Sequence, residues 1–167
     1  LYAFDIVSGT EKDITPYKGA RADLVDMSWK KPGVAAVALN DRNPEYQDLW
    51  EVDVSTGQRT LIEQNNDEMA GYVTDLDLKP KLAQKNTADG SEIFRRVGNK
   101  WVSLFKIAQE DSLTTAPLAI EADGKTAIIQ SSIGRDKAAV VRVDIESGKA
   151  TVLGSSDLAD VDQVWFD

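Results

Sequence analysis

Residues 49–57 read Leu49-Trp50-Glu51-Val52-Asp53-Val54-Ser55-Thr56-Gly57. Apolar side chains recur at every second position of this stretch, which is the period of a β-strand with one buried face. Gly57 can take the left-handed conformation of a hairpin loop, and a second strand is predicted over Gln58–Glu63. Asp53 is placed to accept hydrogen bonds from the amides of the turn. The stretch therefore predicts a β-hairpin.

The same pattern returns elsewhere in the chain without a gap. Residues 1–9 and 140–148 match residues 49–57 position by position, and 93–101 is a degenerate copy whose turn is two residues tighter. Second strands are predicted over Lys12–Thr15 and Lys149–Leu153. The turn glycines fall at positions 9, 57, 98 and 148, which are about 46 residues apart on average. A period of this size with strand patterns alone is typical of propeller blades.

Another pair of strands precedes each of the later hairpins. The first of the pair is predicted to end at Met27-Ser28-Trp29, Leu76-Asp77-Leu78 and Leu118-Ala119-Ile120, before turns at 31–33, 79–81 and 122–124. The next strands, Val34–Leu39 and Thr126–Gln130, are almost continuously apolar, which indicates burial on both faces. The middle copy, 82–87, is more polar.

The predicted fold is all-β: a partial β-propeller of about three and a half four-stranded antiparallel blades in a single domain, 1–167. The blade end is placed at 1–15, the blades near 24–63, 73–107 and 116–153, and the start of a further blade at 160–167. Because both ends fall inside blades, two apolar blade faces would be uncovered. We therefore expect a piece of a larger protein, or self-association through the open blade faces.

Composition excludes several classes of function. The chain has 19 Lys and Arg against 28 Asp and Glu, a net charge of −9, which disfavours nucleic acid as a partner. It has no His and no Cys, so it lacks a Ser-His-Asp triad, a Cys-His pair and a disulfide. There is no Gly-x-Ser-x-Gly motif and no phosphate-binding loop. We predict no catalytic residue, metal site or cofactor and no membrane insertion; a periplasmic and a cytoplasmic location both stay open.

One longer stretch carries a family resemblance. Residues 40–61 read NDRNPEYQDLWEVDVSTGQRTL, and the chain closes on ADVDQVWFD at 159–167. These segments resemble the propeller of prolyl-oligopeptidase-family serine peptidases, of the acylaminoacyl-peptidase and dipeptidyl aminopeptidase type. That family often has an N-x-R-x-P loop followed by D-L-Y-x-V-D-x-x-T-G-x-x-T-x-L.

The resemblance implies a parent protein with an α/β-hydrolase domain that carries the catalytic residues. The propeller would cover and gate that active site and limit access to short peptides. Some family members bind a substrate N-terminus through paired glutamates, and no Glu-Glu pair occurs here. A TolB-type propeller acting as a binding or assembly module is the alternative. A carboxylate-based glycosidase is a weaker third hypothesis, because no feature nominates a pair of acids.

Two loops are predicted to share one rim of the propeller, because Asn40–Gln47 and Ser131–Lys137 both join the second and third strands of a blade. The candidates for contact with another domain or with substrate are Asp41, Arg42, Arg135 and Asp136. Turn chemistry alone would also explain the sequence of the first loop.

Three further sets of residues could be read as functional sites, but a structural role is the better interpretation of each. Asp5, Asp53 and Asp144 are predicted to cap turns rather than share a metal ion. The oxygen-rich run 65–68 lacks the spacing of an EF-hand and is predicted to be a solvated loop between blades. The four tryptophans, Trp29, Trp50, Trp101 and Trp165, are predicted to pack between blades rather than stack on a substrate.

Overall fold

A computed structural model describes residues 1–161 and Val164. These residues form strands and one 3-10 turn at Gln109–Asp111. The strands are β1 (Tyr2–Phe4), β2 (Glu11–Asp13), β3 (Ala22–Met27), β4 (Val34–Leu39), β5 (Asp48–Asp53), β6 (Arg59–Glu63), β7 (Gly71–Thr74), β8 (Pro80–Thr87), β9 (Gly90–Val97), β10 (Lys100–Ala108), β11 (Ala116–Ile120), β12 (Thr126–Ser131), β13 (Ala139–Asp144) and β14 (Ala150–Gly154). The predicted all-β class is confirmed.

The strands are arranged as successive antiparallel meanders. β1 and β2 form a two-stranded sheet, and β3–β6, β7–β10 and β11–β14 each form a four-stranded sheet in which sequence neighbours pair. This is the architecture of about three and a half blades that the repeat predicts. The next blade, predicted at 160–167, lies mostly outside the described residues, since residues 162, 163 and 165–167 are not among them.

The chain divides into two compact units, Leu1–Pro80 and Lys81–Asp167. In the first unit the doubly buried strand is β4, where Ala36, Val37 and Leu39 are all 0% exposed. In the second unit the equivalent strand is β12, where Ala127, Ile128 and Ile129 are at most 4% exposed. Both strands therefore have the burial that their continuous apolar sequence predicts.

The hairpin β1–β2 covers one face of the β3–β6 sheet. Ile14 is 5% exposed and packs with Ala35, Val37, Leu39 and Val52, while Leu1, Ala3, Trp50 and Val54 lie at the edge of the same cluster. Lys12 Nζ also donates a hydrogen bond of 2.9 Å to the Ser55 carbonyl oxygen. This packing shows how one repeat of the chain covers the next.

The hairpin turns are capped by their aspartates, as predicted. The Asp53 carboxylate accepts from the amides of Ser55 and Thr56 at 2.9 and 2.7 Å, and also from both hydroxyls. Hydrogen bonds from Ser55 and Thr56 stabilise the charged form and lower the pKa of Asp53 to about 2. Asp5 and Asp144 accept equivalent bonds from the amides of Ser8 and Ser147.

Three local predictions need correction. The segment 76–78 is not the end of a strand: β7 stops at Thr74, Asp75 caps the turn that follows, and β8 already begins at Pro80. Leu78 takes a left-handed φ of 59° in that turn and is 1% exposed, so burial of its side chain outweighs the backbone preference. Trp29 lies in the turn after β3 and is 77% exposed, so it does not pack between blades.

The third correction concerns one residue of the run 65–68, since Asn66, Asp67 and Glu68 are exposed as predicted. Asn65 is 4% exposed and makes four hydrogen bonds through its amide and side chain, so this part of the loop is not solvated. An alternating apolar pattern identifies the buried side chains of strands, so it cannot predict that a polar side chain in a loop is buried.

Among the described residues no helix is long and apolar enough to cross a membrane.

Candidate functional site

The loop 40–47 joins β4 to β5, the second and third strands of its blade, as predicted. Asn40 organises its entry: the side-chain oxygen accepts from the Arg21 amide at 2.5 Å, and the side-chain nitrogen donates to the Pro44 carbonyl at 3.0 Å. These bonds tie the loop to the start of β3 on one side and close it on itself on the other. Arg42 is therefore presented from a braced loop.

Arg42 forms a bidentate ion pair with Asp48 at the start of β5. Arg42 Nε donates to Asp48 Oδ2 at 2.6 Å, and Nη2 donates to Oδ1 at 2.7 Å. Asp48 is 1% exposed, whereas the Arg42 side chain is 40% exposed. The arginine therefore pairs a buried carboxylate while part of its own side chain faces solvent.

Asn65 completes this arrangement from the loop after β6. Its amide donates to Asp48 Oδ1 at 2.8 Å, and its carbonyl oxygen accepts from Arg42 Nη2 at 3.1 Å. Its side chain also bonds both backbone groups of Met69. The Asp48 carboxylate thus joins the start of β5 to the loop 40–47 and to the loop after β6.

The charge states in this cluster support one another. Burial would raise the pKa of Asp48, but the hydrogen bonds from Arg42 and from the Asn65 amide outweigh burial and hold the pKa below its ordinary value. The hydrogen bond to Asp48 in turn raises the pKa of Arg42. Both groups are therefore charged at neutral pH, and the ion pair persists under physiological conditions.

Arg59 on β6 forms an ion pair with Asp41, the residue that precedes Arg42 in the loop. Its guanidinium carbon lies 4.1 Å from the ring centre of Tyr17 and 3.9 Å from that of Trp50, so the side chain is held between two aromatic rings. Arg59 Nη2 donates to Asp41 Oδ2 at 2.7 Å. We call Asp41, Arg42, Asp48, Arg59 and Asn65 the rim network.

Two buried donors lie beside this ion pair. Trp50 Nε1 and Arg59 Nη1 have no hydrogen-bond partner among the described residues. Because Arg59 stacks on the Trp50 ring, both unused donors belong to one small region. An acceptor such as a water molecule or a carbonyl oxygen would satisfy them.

The second predicted loop differs in its charge pairing. It joins β12 to β13, and it is anchored by Ser132, whose hydroxyl donates to Asp111 at 2.5 Å and whose amide donates to the Thr115 hydroxyl at 3.1 Å. Asp136 has a side chain that is 91% exposed and forms an ion pair with the neighbouring Lys137 at 3.3 Å. Arg135 is exposed and has no ion-pair partner within the described part of the chain.

The four residues predicted at the rim fall into two pairs, one in each unit. Asp41 and Arg42 lie in the first unit, where both are committed to ion pairs inside their own blade; Arg135 and Asp136 lie in the second unit on an exposed loop. Sequence reasoning missed Asp48, Arg59 and Asn65. The sequence does offer a sign of Asp48, because this acidic residue directly precedes the apolar Leu49 of the predicted strand and lies six residues after Arg42.

The chemistry available to this cluster is binding and positioning. Within residues 1–161 and Val164 there is no group of three or more acidic residues arranged to hold a metal ion. Asp41 and Asp48 are each paired with an arginine, which suits charge recognition rather than proton transfer. Arg42, whose side chain is 40% exposed, is the cation of this cluster that could meet a carboxylate outside the chain.

No protein-family model matches the chain. It is 40% identical over 163 residues to dipeptidyl aminopeptidase BIII of Pseudoxanthomonas mexicana, a match that covers 96% of this chain and 24% of that protein. The predicted kinship with the propeller of this peptidase family is confirmed. This propeller segment spans about a quarter of the length of the curated relative.

Solved structures agree with the propeller fold. TolB from Acinetobacter baumannii superposes with a TM-score of 0.58 and 19% identity, covering 94% of this chain and 38% of TolB. A prolyl endopeptidase superposes with a TM-score of 0.52 and 17% identity, covering 93% and 26% of the two chains. At these identities the likeness concerns the fold alone, and the peptidase kinship rests on the sequence match.

Proposed function

We propose that this propeller segment serves a serine peptidase, where it covers and gates the active site of an α/β-hydrolase domain and limits access to short peptides. The observation that carries the proposal is the 40% identity that runs along 96% of the chain to a dipeptidyl aminopeptidase. The chain itself has no His and no Gly-x-Ser-x-Gly motif, so the peptidase chemistry would come from the other domain.

The two loops have different parts in this proposal. The loop 40–47 is braced by the ion pair between Arg42 and the buried Asp48, so it would act as a rigid edge of the cover. The loop 131–137 presents Arg135 without an ion-pair partner among the described residues, so this cation would pair with a carboxylate of the hydrolase domain or of a peptide. Asp41 and Asp136 are the neighbouring acids that would repel a misplaced carboxylate.

The first test is catalytic. The purified chain is expected not to hydrolyse a dipeptidyl p-nitroanilide, because it lacks a nucleophile with a histidine as general base. The measurement is release of p-nitroaniline followed by its absorbance, with the full-length relative as positive control. Turnover that co-purifies with the chain through a further chromatography step would overturn this part of the proposal.

The second test places the chain in a complete peptidase. Substituting it for the matching segment of the relative is expected to give a chimaera that still hydrolyses the dipeptidyl substrate. Replacing loop 41–46 of the chimaera by a short glycine-containing turn is expected to increase hydrolysis of longer peptides relative to the dipeptidyl substrate. Unchanged size discrimination in a folded, active loop variant would contradict gating.

The contact made by Arg135 is tested in the same chimaera. Arg135→Glu is expected to weaken the interaction with the hydrolase domain or the substrate and to lower kcat/KM roughly tenfold, the size of one lost charge-assisted hydrogen bond. The matched control is Lys18→Glu, which reverses an exposed charge in the turn before β3. Equal effects of the two variants would remove Arg135 from the proposal.

A further inference from the structure

Ser132 ties the start of the loop 131–137 to the connection between β10 and β11. It follows β12 directly and is 6% exposed. Its hydroxyl donates to Asp111 Oδ1 at 2.5 Å and lies 2.7 Å from the Thr114 hydroxyl oxygen. Its amide donates to the Thr115 hydroxyl oxygen at 3.1 Å. We call Asp111, Thr114, Thr115 and Ser132 the hydroxyl cluster.

The groups that Ser132 binds are themselves held in place. Thr115 is 1% exposed and directly precedes β11, which pairs with β12. Asp111 ends the 3-10 turn, and its carbonyl oxygen accepts from the Thr114 amide at 3.1 Å. Ser132 is therefore anchored to backbone that the sheet and the 3-10 turn already fix.

The position of Ser132 determines where Arg135 lies. The Arg135 amide donates to the Ser132 carbonyl oxygen at 2.9 Å, which closes a β-turn over residues 132–135. Gly134 occupies the third position of this turn with a φ of 71°, a left-handed conformation that glycine adopts without steric cost. Arg135 is exposed, so its side chain extends from the end of a turn whose first residue is buried.

The far end of the same loop is also fixed. Ala138 is 0% exposed, its amide donates to Asp160 Oδ1 at 2.6 Å, and its carbonyl oxygen accepts from the Val161 amide at 3.0 Å. Residues 133–136 are exposed between these two anchors. Because a segment this short has little conformational freedom while both ends are held, losing the Ser132 anchor should release Arg135.

We propose that Ser132 is a positioning residue, which acts through the hydroxyl cluster and the turn 132–135 to hold the Arg135 guanidinium where it meets a carboxylate from outside the chain. The carboxylate belongs to the hydrolase domain or to the peptide substrate, so this inference rests on the proposed function. An arginine whose backbone is already held in place loses less conformational freedom on pairing than a mobile one, which strengthens the pairing. Ser132 itself touches no substrate, and its effect passes through Arg135.

The first measurement is the NMR order parameter of the Arg135 amide in the unaltered chain and its variants. Ser132→Ala is expected to lower this order parameter from about 0.85, typical of rigid backbone, to below about 0.6, because the turn loses its anchor. Ser147→Ala is the matched control, since it removes a serine hydroxyl that donates to Asp144 at 2.6 Å in another turn of the same unit. An Arg135 amide that stays as rigid in Ser132→Ala as in the control overturns the proposal.

Thr115 tests the same link from its other side. Thr115→Val keeps the shape of the side chain but has no hydroxyl to accept the Ser132 amide, whereas Thr115→Ser keeps the hydroxyl. Only the valine variant is expected to lower the order parameter of the Arg135 amide, and equal order in the two variants contradicts the proposal. Circular dichroism confirms that each variant is folded.

The second measurement is kcat/KM of the chimaeric peptidase for a short peptide with a free C-terminal carboxylate. Ser132→Ala is expected to lower kcat/KM about fivefold when Arg135 is present, and by less than about twofold when Arg135 is replaced by alanine. Ser147→Ala is expected to leave kcat/KM unchanged. A purely structural role of Ser132 would cause the same loss with and without Arg135, and that result overturns the proposal.

The C-terminal amide of the same peptide identifies the source of the carboxylate. A loss that persists with the amide assigns the carboxylate to the hydrolase domain, and a loss that disappears assigns it to the peptide. An active chimaera in which Arg135→Ala leaves kcat/KM unchanged for both peptides removes the contact of Arg135 and the positioning role with it. An effect of Arg135→Ala without coupling to Ser132 removes the positioning role alone and leaves the proposed function standing.

Discussion

At the residue scale, Gly90 has the most demanding environment of the turn glycines. It begins β9 with a φ of 137°, a conformation that L side chains rarely adopt. A Cβ at this position would overlap the Ile107 carbonyl oxygen and lie 2.8 Å from the Ala108 carbonyl carbon. Because both neighbours are backbone atoms of the paired strand β10, the contact cannot be relieved by rotating a side chain.

Gly90→Ala is therefore expected to destabilise the protein by about 3 kcal/mol, from strain and displacement of β10. Gly98→Ala is the control: Gly98 has a φ of 57°, but a Cβ added there would meet no heavy atom within 4 Å, so the cost is about 1 kcal/mol. Urea unfolding followed by tryptophan fluorescence measures both. Equal losses would show that the close approach of β10 does not matter.

The turn aspartates make stability depend on pH. Hydrogen bonds from turn residues lower the pKa of Asp5, Asp53, Asp123 and Asp144, and that of Asp53 reaches about 2. In the unfolded chain the pKa of an aspartate is about 3.9. The stabilisation is therefore fully present above about pH 4, and it is lost as the pH falls through the lower pKa values of the folded state.

Asp53→Asn is expected to reduce stability at pH 7 and to flatten the decline of the melting temperature between about pH 4 and pH 2, because the amide has no charge to lose. The control is Asp89→Asn, which removes an exposed charge in the turn between β8 and β9. Melting curves by circular dichroism across this pH range provide the measurement. A pH profile that is the same for Asp53→Asn and the unaltered chain would contradict the capping role.

At the scale of the element, the rim network shows how a loop is tied to a strand. Asp48 lies at the first position of β5 and is 1% exposed, and its carboxylate receives Arg42 from the preceding loop and Asn65 from the following one. A buried carboxylate without these donors would lose its hydration and receive nothing in exchange. The ion pair therefore acts mainly by keeping Asp48 satisfied.

Arg42→Ala is expected to cost about 2 kcal/mol of stability, because it leaves a buried carboxylate with one donor fewer on each oxygen. Arg135→Ala removes an exposed arginine without an ion pair in the described residues and should change stability by less than about 0.5 kcal/mol. Thermal unfolding of the two variants compares them directly. The combination Arg42→Ala with Asp48→Ala should lose less than the sum of the single losses.

The element scale also shows where sequence reasoning succeeds and fails. The limits of β4, Val34–Leu39, are predicted to the residue because its apolar run and its flanking turns are both local features. The turn at 75–79 is misplaced because Leu78 is apolar and β-strand-like in the sequence but takes a left-handed φ. Asp41 and Arg42 are recognised as special, whereas Arg59 is missed because its aromatic neighbour Tyr17 lies far away in the sequence.

At the scale of the whole molecule, the net charge of −9 destabilises the compact state through repulsion between like charges. Repulsion between exposed charges is screened over about 10 Å at 0.1 M salt and over about 3 Å at 1 M. Raising the NaCl concentration from about 0.05 M to about 0.5 M is therefore expected to raise the melting temperature measured by circular dichroism, because screening weakens this repulsion. A melting temperature that falls in high salt would indicate that screening of ion pairs such as Arg42–Asp48 and Arg59–Asp41 outweighs this effect.

The sequence by itself determined the strands, most of the turns and the number of blades. These depend on the period of two, on turn glycines and on aspartates that act within a few residues of their own position, as Asp53 does with Ser55 and Thr56. Kinship with a peptidase propeller was equally visible in residues 40–61, because it is a property of the order of residues and needs no coordinates.

Only the tertiary structure decided which of the repeated surfaces are covered. Phe4 and Val52 occupy the same position in the repeat, yet Phe4 is 61% exposed and Val52 is 1% exposed. The tertiary structure likewise decided that Arg42 is paired with a buried carboxylate whereas Arg135 is exposed. Burial and pairing depend on what packs against a side chain, and in a chain of repeats the local sequence is nearly the same whether or not a neighbour is present.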